Sequence, residues 1–323
     1  MNVLSLFDGI SGGMASLERA GLEVNNYFAS EIDENAIEMS KDNYPNIIQL
    51  GNIENINIQS IRNLPLIDLV LAGSPCQGFS RQGKGLSFDD PRSKLFFNFV
   101  EILSYVKHFN PNSKFLLENV GMKKEWENVI TDYLRVKPLE INSKLVSAQN
   151  RPRIYWTDIE GVTIPCDEEI FLNDIIDQDV EVDYVEHQGI KICSSFSEAS
   201  RELVSVVNGE VRIKQATKKG YIVATDGDGV NISYPTSKSR RGRVINKKSS
   251  TLDTSCSSGV FTNGIIRPFT INELEKLQTL PIGYTKTGSL VARKKAIGNG
   301  WTIDVTAHIL KHLKKEKRFT YGR

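Results

Sequence analysis

Over its first half the chain alternates short apolar runs with stretches of helical spacing, and that rhythm leaves few folds open. Residues 2–7 form an apolar strand ending at Asp8-Gly9, and residues 13–20 carry Met14 and Leu17 at helical spacing until Gly21. Residues 26–32 read as a second strand, 34–43 as a helix halted before Pro45, and 47–53 as a third strand. Leu66-Ile67-Asp68-Leu69-Val70-Leu71-Ala72 has the continuous apolar character of a strand buried on both faces, closed by Gly73-Ser74-Pro75-Cys76. A helix over 95–106 sets Leu95, Phe99, Leu103 and Val106 on one face. Residues 114–120 are strand again, and 141–146 and 153–157 follow as later strands. This alternation predicts a doubly wound, mostly parallel α/β sheet. Ligands of such sheets bind beyond the carboxyl ends of the strands, where Phe7-Asp8, Glu31, Asn52, Cys76 and Glu118 all fall.

The rhythm stops near residue 160. From 161 to 264 the chain holds short Val/Ile-rich pieces broken by Gly, Ser and Lys, which predicts a small, irregular second domain. Order resumes at Phe269, with helices expected over 271–280, before Pro281, and over 303–313. The expected organisation is therefore 1–160, 161–264, and a return segment 265–323 that completes the first domain.

Charge follows the same divisions. The chain's net +1 gives by itself no reason to expect a nucleic-acid partner. Yet 1–160 is net −4, 161–264 net −3 and 265–323 net +8. Within the middle segment, 167–186 carries nine acids and no base, whereas Lys238, Arg240, Arg241, Arg243, Lys247 and Lys248 crowd a stretch of Ser, Gly and Thr. Such a cluster suits a loop that meets phosphates, against the plain alternative of a solvated surface loop. No apolar run approaches the roughly 18 residues of a membrane span. The opening Met1-Asn2-Val3-Leu4 reads as the start of a strand rather than a signal peptide. Cys76, Cys166, Cys193 and Cys256 are widely spaced, without a C-x-x-C pair or a histidine at zinc-ligand spacing. A reducing cytoplasm and no metal are the expectation.

The strand ends supply candidate chemistry. Phe7-Asp8-Gly9-Ile10-Ser11-Gly12-Gly13 is a glycine-rich β-to-α turn without the G-x-G-x-x-G spacing of a dinucleotide site. With Glu31 placed to accept from a ribose diol, it suits an adenosine ligand lacking phosphates, such as S-adenosylmethionine; NAD stays open as the alternative. A lone cysteine is ordinarily a small buried hydrophobe. Cys76, however, follows a buried strand through Ser-Pro at the ligand edge, where nearby amides favour thiolate. A thiolate is both a good nucleophile and a good leaving group. Glu118 ends another strand behind Phe115-Leu116-Leu117, so partial burial would keep its carboxyl able to donate a hydrogen bond. Arg151 and Arg153, two apart along a strand, are expected on one face, where two guanidiniums ask for an anion.

In order along the chain stand Phe7-Asp8-Gly9 with Gly12, Ser30-Glu31, Ser74-Pro75-Cys76-Gln77, Glu118-Asn119-Val120 and Gln149-x-Arg151-x-Arg153. Then come Arg267-Pro268-Phe269-Thr270 through Glu273, Leu277-Gln278, Pro281 and Gly298-Asn299. The set closely resembles the DNA cytosine-5 methyltransferase family over nearly the whole chain apart from roughly 161–240. Ser74-Pro75-Cys76, Ser147-Ala148 and Trp301 are similar to the animal de novo subgroup, while the length is that of a bacterial or phage enzyme. The resemblance implies a Rossmann-like fold that uses S-adenosyl-L-methionine, releases S-adenosyl-L-homocysteine and needs no metal, with a smaller target-recognition domain at 161–264. It implies that Cys76 attacks C6 of a flipped-out cytosine, that Glu118 holds N3 and the exocyclic amine, and that Arg153 holds O2 with Arg151 in support. It assigns the cofactor to Phe7, Gly9, Gly12, Glu31, Ile32, Asn52, Ile53, Pro75, Leu95 and Asn299. The loop 80–92, with Ser80 and Gln82, would close over DNA. Arg240, Arg241 and Arg243 would read guanine or phosphate. Two spellings depart from the family: Asn52 stands where Asp is usual, and Gly300-Trp301-Thr302 where Ser-Val is commoner after Asn299.

The partners so implied are double-stranded DNA and a cognate restriction endonuclease, with no membrane, for a monomer in the bacterial cytoplasm at the nucleoid. The same chemistry on tRNA is one alternative, and a non-catalytic sequence-specific DNA-binding regulator is another. A nicotinamide dehydrogenase would leave Cys76 opposite Glu118 unexplained.

Overall fold

A computed structural model describes residues 1–74 and 91–314. In chain order the first part holds β1 (Asn2–Leu6), α1 (Gly12–Arg19), β2 (Asn26–Ser30), α2 (Glu34–Asn43), β3 (Ile48–Gln49), α3 (Ile58–Arg62) and β4 (Leu69–Gly73). It continues with α4 (Pro91–Phe109), β5 (Lys114–Val120), α5 (Lys124–Leu134), β6 (Leu139–Asn142), β7 (Gln149–Asn150) and β8 (Pro152–Thr157). Seven of these strands make one sheet in the order β3-β2-β1-β4-β5-β8-β6. β1 pairs in parallel with both β2 and β4, so the winding reverses between β1 and β4, and a crevice opens there. Only β8 runs the other way, wedged antiparallel between β5 and β6.

Period-two alternation in the buried strands supplies both faces of the core. Leu4, Leu6, Val70, Ala72 and Leu117 meet Phe96, Phe99 and Ile102 of α4 on one face. Val3, Leu69, Leu71 and Leu116 face the other way and meet Leu17 of α1.

The remaining helices are α6 (Leu172–Ile175), α7 (Glu198–Arg201), α8 (Ile271–Leu277), α9 (Leu290–Asn299) and α10 (Ile303–Leu310). Val305, Ile309 and Leu310 of α10 join the second face. α8 is shorter than the expected 271–280. It ends where Thr279 takes a φ of 53° and the Leu280 N–H reaches back five residues to the Glu275 carbonyl, ahead of Pro281.

Other boundaries differ for local reasons. The third strand is only two residues long, because Asn52 leaves the ladder to cap a 3-10 turn over Ile53–Asn55. After β6, Asn142 likewise accepts from the Lys144 N–H and starts another such turn over Ser143–Leu145. α3 and α5 were not anticipated.

The stretch expected to be irregular is built of short strands. They are β9 (Tyr184–His187), β10 (Ile190–Cys193), β11 (Val204–Val207), β12 (Glu210–Lys214), β13 (Tyr221–Ala224), β14 (Asp228–Asn231), β15 (Arg243–Ile245), β16 (Ser249–Ser250), β17 (Gly259–Thr262) and β18 (Ile265–Pro268). Six form a sheet ordered β15-β14-β17-β18-β10-β9, and β11-β12-β13 form a second. The expected boundary at 264 falls in the Asn263-Gly264 turn of the β17–β18 hairpin.

Several links join these sheets to the rest of the chain, two of them prominent. β16 pairs in parallel with β7. Arg267, 2% exposed, makes a two-pronged contact with Glu273, which is fully buried: Nη1 reaches Oε2 at 2.9 Å and Nη2 reaches Oε1 at 2.7 Å. The Thr270 and Asp177 amides also donate to that carboxylate. Among the described residues no helix is long and apolar enough to cross a membrane.

Candidate active site

The crevice at the carboxyl ends of β1, β2, β4 and β5 opens into a cavity of about 520 Å³. Phe7, Gly9, Gly12, Glu31, Ile32, Asn52, Ile53, Leu95 and Asn299 all line it, together with Glu118, Arg151 and Arg153. Pro75, Cys76, Ser80 and Gln82 lie outside the described residues.

The wall after β1 is a tight turn. Phe7 and Ser11 adopt φ of 56° and 58°, a region that costs a side chain about 1–2 kcal/mol. Hydrogen bonds hold them there. The Asp8 N–H donates to the Ser30 carbonyl at 3.1 Å, and the Gly9 N–H donates to Glu31 Oε2 at 2.8 Å. Glu31 Oε1 accepts from the Ile32 and Asp33 amides at 2.7 and 2.9 Å. Three amides thus fix one carboxylate at the cavity wall and leave Oε2 one lone pair for a ligand. Asn52 Oδ1 accepts from the Glu54 N–H at 3.0 Å and has one lone pair left.

Asp8 lines the same cavity yet is 8% exposed. Tyr27 Oη donates to its Oδ1 at 2.7 Å and Ser11 Oγ to its Oδ2 at 2.5 Å. Burial pushes its carboxyl up to about 6, with the nearby Glu31 adding to the rise and the hydroxyl donors opposing it.

At the other end, the β4–β5 register sets Glu118 beside Gly73. Arg153 approaches Glu118 with Nε 2.9 Å from Oε1, and both side chains are about nine-tenths buried (11% and 12% exposed). Asn119 Nδ2 donates to Ser74 Oγ at 2.9 Å and pins the strand end two residues before Cys76. A Cβ on Gly73 would stand 2.8 Å from Trp301 Nε1 and 3.6 Å from Glu118 Oε2. Only glycine lets the indole close the cavity there.

The two arginines do not share an anion. Arg153 is matched by Glu118. Arg151 is buried and donates to three carbonyls, from Nη1 to Leu252 at 3.1 Å and from Nη2 to Gly298 at 3.0 Å and Gly300 at 2.9 Å. Burial, then repulsion from Arg153, push its guanidinium down to about 9, still charged at neutral pH. Both arginines line the cavity, as expected, although residue 151 lies between β7 and β8, outside either ladder. Gln278 reinforces the same wall: its Nε2 donates to Ile297 and Gly300, and its Oε1 accepts from Thr302 and Gln149.

Several cavity residues escaped sequence reasoning. Asp8 falls at the expected strand end, but its burial and its Tyr27 and Ser11 donors come from the fold. Lys295 and Asp33 also line the wall, paired at 2.6 Å across 262 residues of sequence, and no local signal announces that. Arg240, Arg241 and Arg243 do not line the cavity; they sit at the β14–β15 connection and on β15. Of the described cysteines, all free, Cys166 is exposed while Cys193 and Cys256 are buried. Burial, with Asp253 adding, pushes the Cys256 thiol up to about 12. No group of three potential metal ligands occurs among the described residues.

The family model for C-5 cytosine-specific DNA methylase matches residues 1–315. The Type II methyltransferase M.NgoBV of Neisseria gonorrhoeae is 35% identical over 176 residues, covering 48% of this chain and 40% of that protein. M1.ScrFI of Lactococcus lactis subsp. cremoris is 35% identical over 173 residues, 50% of this chain and 42% of its own. In each case the matched stretch is under half of the relative's length. M.Eco47II of Escherichia coli aligns more fully, at 26% identity over 94% of this chain and 76% of that protein. Among solved structures, the Entamoeba histolytica methyltransferase EhMeth superposes with a TM-score of 0.68 at 18% identity, covering 98% of each chain. A Spodoptera frugiperda DNMT2 mutant gives 0.62 at 21%, covering 97% of this chain and 99% of its own. Both share this fold.

Proposed function

The chain belongs to the C-5 cytosine-specific DNA methylase family, and from that premise we propose that it methylates C5 of a cytosine flipped out of a specific double-stranded DNA sequence. The methyl donor in this reading is S-adenosyl-L-methionine. One observation carries the proposal: a single cavity has Glu31 and Asn52 on one wall and the Glu118–Arg153 pair on another.

The residues present fit that donor. Glu31 and Asp8 disfavour a phosphate chain, and the cations on the cavity are already engaged, Lys295 by Asp33, Arg151 by carbonyls and Arg153 by Glu118. Glu31 would take the ribose hydroxyls and Asn52 the adenine amine, with Phe7 and Ile32 against the ring. When bound, the group supplies an electrophilic methyl on a sulfonium.

This chain's own residues do the rest. Cys76 thiolate adds to C6 and makes C5 electron-rich. C5 takes the methyl group, its proton passes to a base, and the returning electron pair expels the thiolate. Glu118 holds N3 and the exocyclic amine where charge develops; Arg153 engages Oε1 and leaves Oε2 on the Gly73 side for the base. Arg153 also holds O2. Arg151 acts through the 298–300 backbone as a positioning residue.

In this reading residues 161–264 recognise the target, and Ser80, Gln82, Arg240, Arg241 and Arg243 contact DNA. The relatives' Type II names support a modification enzyme with a cognate restriction endonuclease; we further propose that it acts as a cytoplasmic monomer. Transfer of labelled methyl to duplex DNA and to tRNA, each with wild type and Cys76→Ala, tests the reading. Label in duplex cytosine, lost in Cys76→Ala while cofactor binding persists, is expected. Label in tRNA alone would move the substrate to RNA, and label in neither would favour a non-catalytic regulator.

A further inference from the structure

Three arginines fall within four residues, and the structure holds them differently. Arg240 is exposed and lies over the Tyr234 ring, 4.8 Å from its centroid. Arg243 is exposed on β15, the terminal strand of the six-stranded sheet. Arg241 is only half exposed, and its Nε is buried with no hydrogen-bond partner. The next residue locks the backbone: Gly242 has φ of 57°, and a Cβ there would stand 1.9 Å from the Lys214 carbonyl and 3.1 Å from Ile213 Cγ2. The loop therefore rests directly on β12. No acid forms an ion pair with any of the three among the described residues, so each keeps its charge for a partner.

We propose that Arg241 reads a guanine of the target sequence with its guanidinium fork, while Arg240 and Arg243 contact phosphates. This rests on the duplex-DNA reading above and assigns roles within it. Base readout needs a donor pair held in register, and a side chain whose stem is already packed loses little rotamer freedom on forming it. Phosphate contacts tolerate mobile side chains and carry no sequence information. Arg241 is the preordered one; the other two are exposed cations.

The test replaces arginine with lysine, which keeps the charge and removes the fork. Duplexes presenting one cytosine in every flanking context are methylated by wild type, Arg240→Lys, Arg241→Lys and Arg243→Lys, and the products are sequenced. Wild type should require a guanine at one position by about ten- to a hundredfold, and Arg241→Lys should lose that requirement. Arg240→Lys and Arg243→Lys should keep it. Arg240→Ala and Arg243→Ala should weaken all contexts alike, each lowering the salt slope of binding by about one. With unaltered protein, 7-deazaguanine at the required position should cost about tenfold, by removing the N7 acceptor. An unchanged profile in Arg241→Lys, or loss of the requirement in either neighbour instead, overturns the assignment while leaving the DNA reading intact. Failure of wild type to methylate any duplex overturns both.

Discussion

Asp8 is a buried carboxylate with no cation beside it among the described residues, and its titration should be visible in the stability of the whole protein. Its carboxyl sits at about 6 in the fold, against 3.8 for the free group, because burial penalises the charged form. Between those values the folded state binds more protons than the unfolded one, so stability must fall as pH rises. The contribution is fully present below pH about 3.8 and gone above about 6, some 3 kcal/mol in all. Between pH 4.5 and 7.5 the part lost is about 2 kcal/mol. Asp8→Asn keeps the shape and removes the titration. Urea unfolding of both proteins across that range isolates the effect. Carboxylates that do not interact with Asp8 cancel in the difference, and Glu31, which does, is the smallest cause of its shift. Wild type should lose about 2 kcal/mol relative to Asp8→Asn as pH rises from 4.5 to 7.5. A difference that stays constant with pH, or grows in wild type's favour, would refute the reasoning.

Other consequences concern packing and reactivity. Arg267→Met leaves the Glu273 carboxylate buried beside two amides and should cost about 3–5 kcal/mol; Arg267→Met with Glu273→Gln should be less destabilised than the single variant in the same unfolding assay. Gly73→Ala puts a methyl 2.8 Å from Trp301 Nε1, which should weaken cofactor binding about tenfold by calorimetry, with Trp301→Ala restoring part of the loss. Of the three described cysteines, Cys166 should be alkylated in the native protein at pH 8, and Cys193 and Cys256 only after unfolding, as peptide mass mapping would report.

Much of the first domain is legible because its information is local. The helix Glu34–Asn43 and the strand Lys114–Val120 appear at the expected residues, since Asp33 caps one and apolar residues fill the other. Strand ends follow from strands, so Glu31, Asn52 and Glu118 could be placed at one crevice before any coordinates. What local pattern does not carry is pairing. The reversal of β8 between β5 and β6, which brings Arg153 to Glu118, depends on ladders between distant residues. The partners of Arg151 were not legible for that reason: they lie at 252, 298 and 300. The small strands of 184–262 escaped because runs of two to five residues, broken by glycine and serine, show too little alternation. α5 carries Trp126, Ile130 and Leu134 four residues apart, a helical spacing legible in the sequence.

The central claim is that Cys76 bonds to C6 of a target cytosine while its C5 is methylated. A duplex carrying 5-fluorocytosine at the target position tests it, because fluorine replaces the C5 proton whose loss releases the enzyme. Incubated with S-adenosyl-L-methionine and analysed by peptide mass spectrometry, wild type should yield a denaturation-resistant adduct on Cys76, and Cys76→Ala none. An adduct on another residue, or undiminished methylation of ordinary cytosine by Cys76→Ala, would contradict the account.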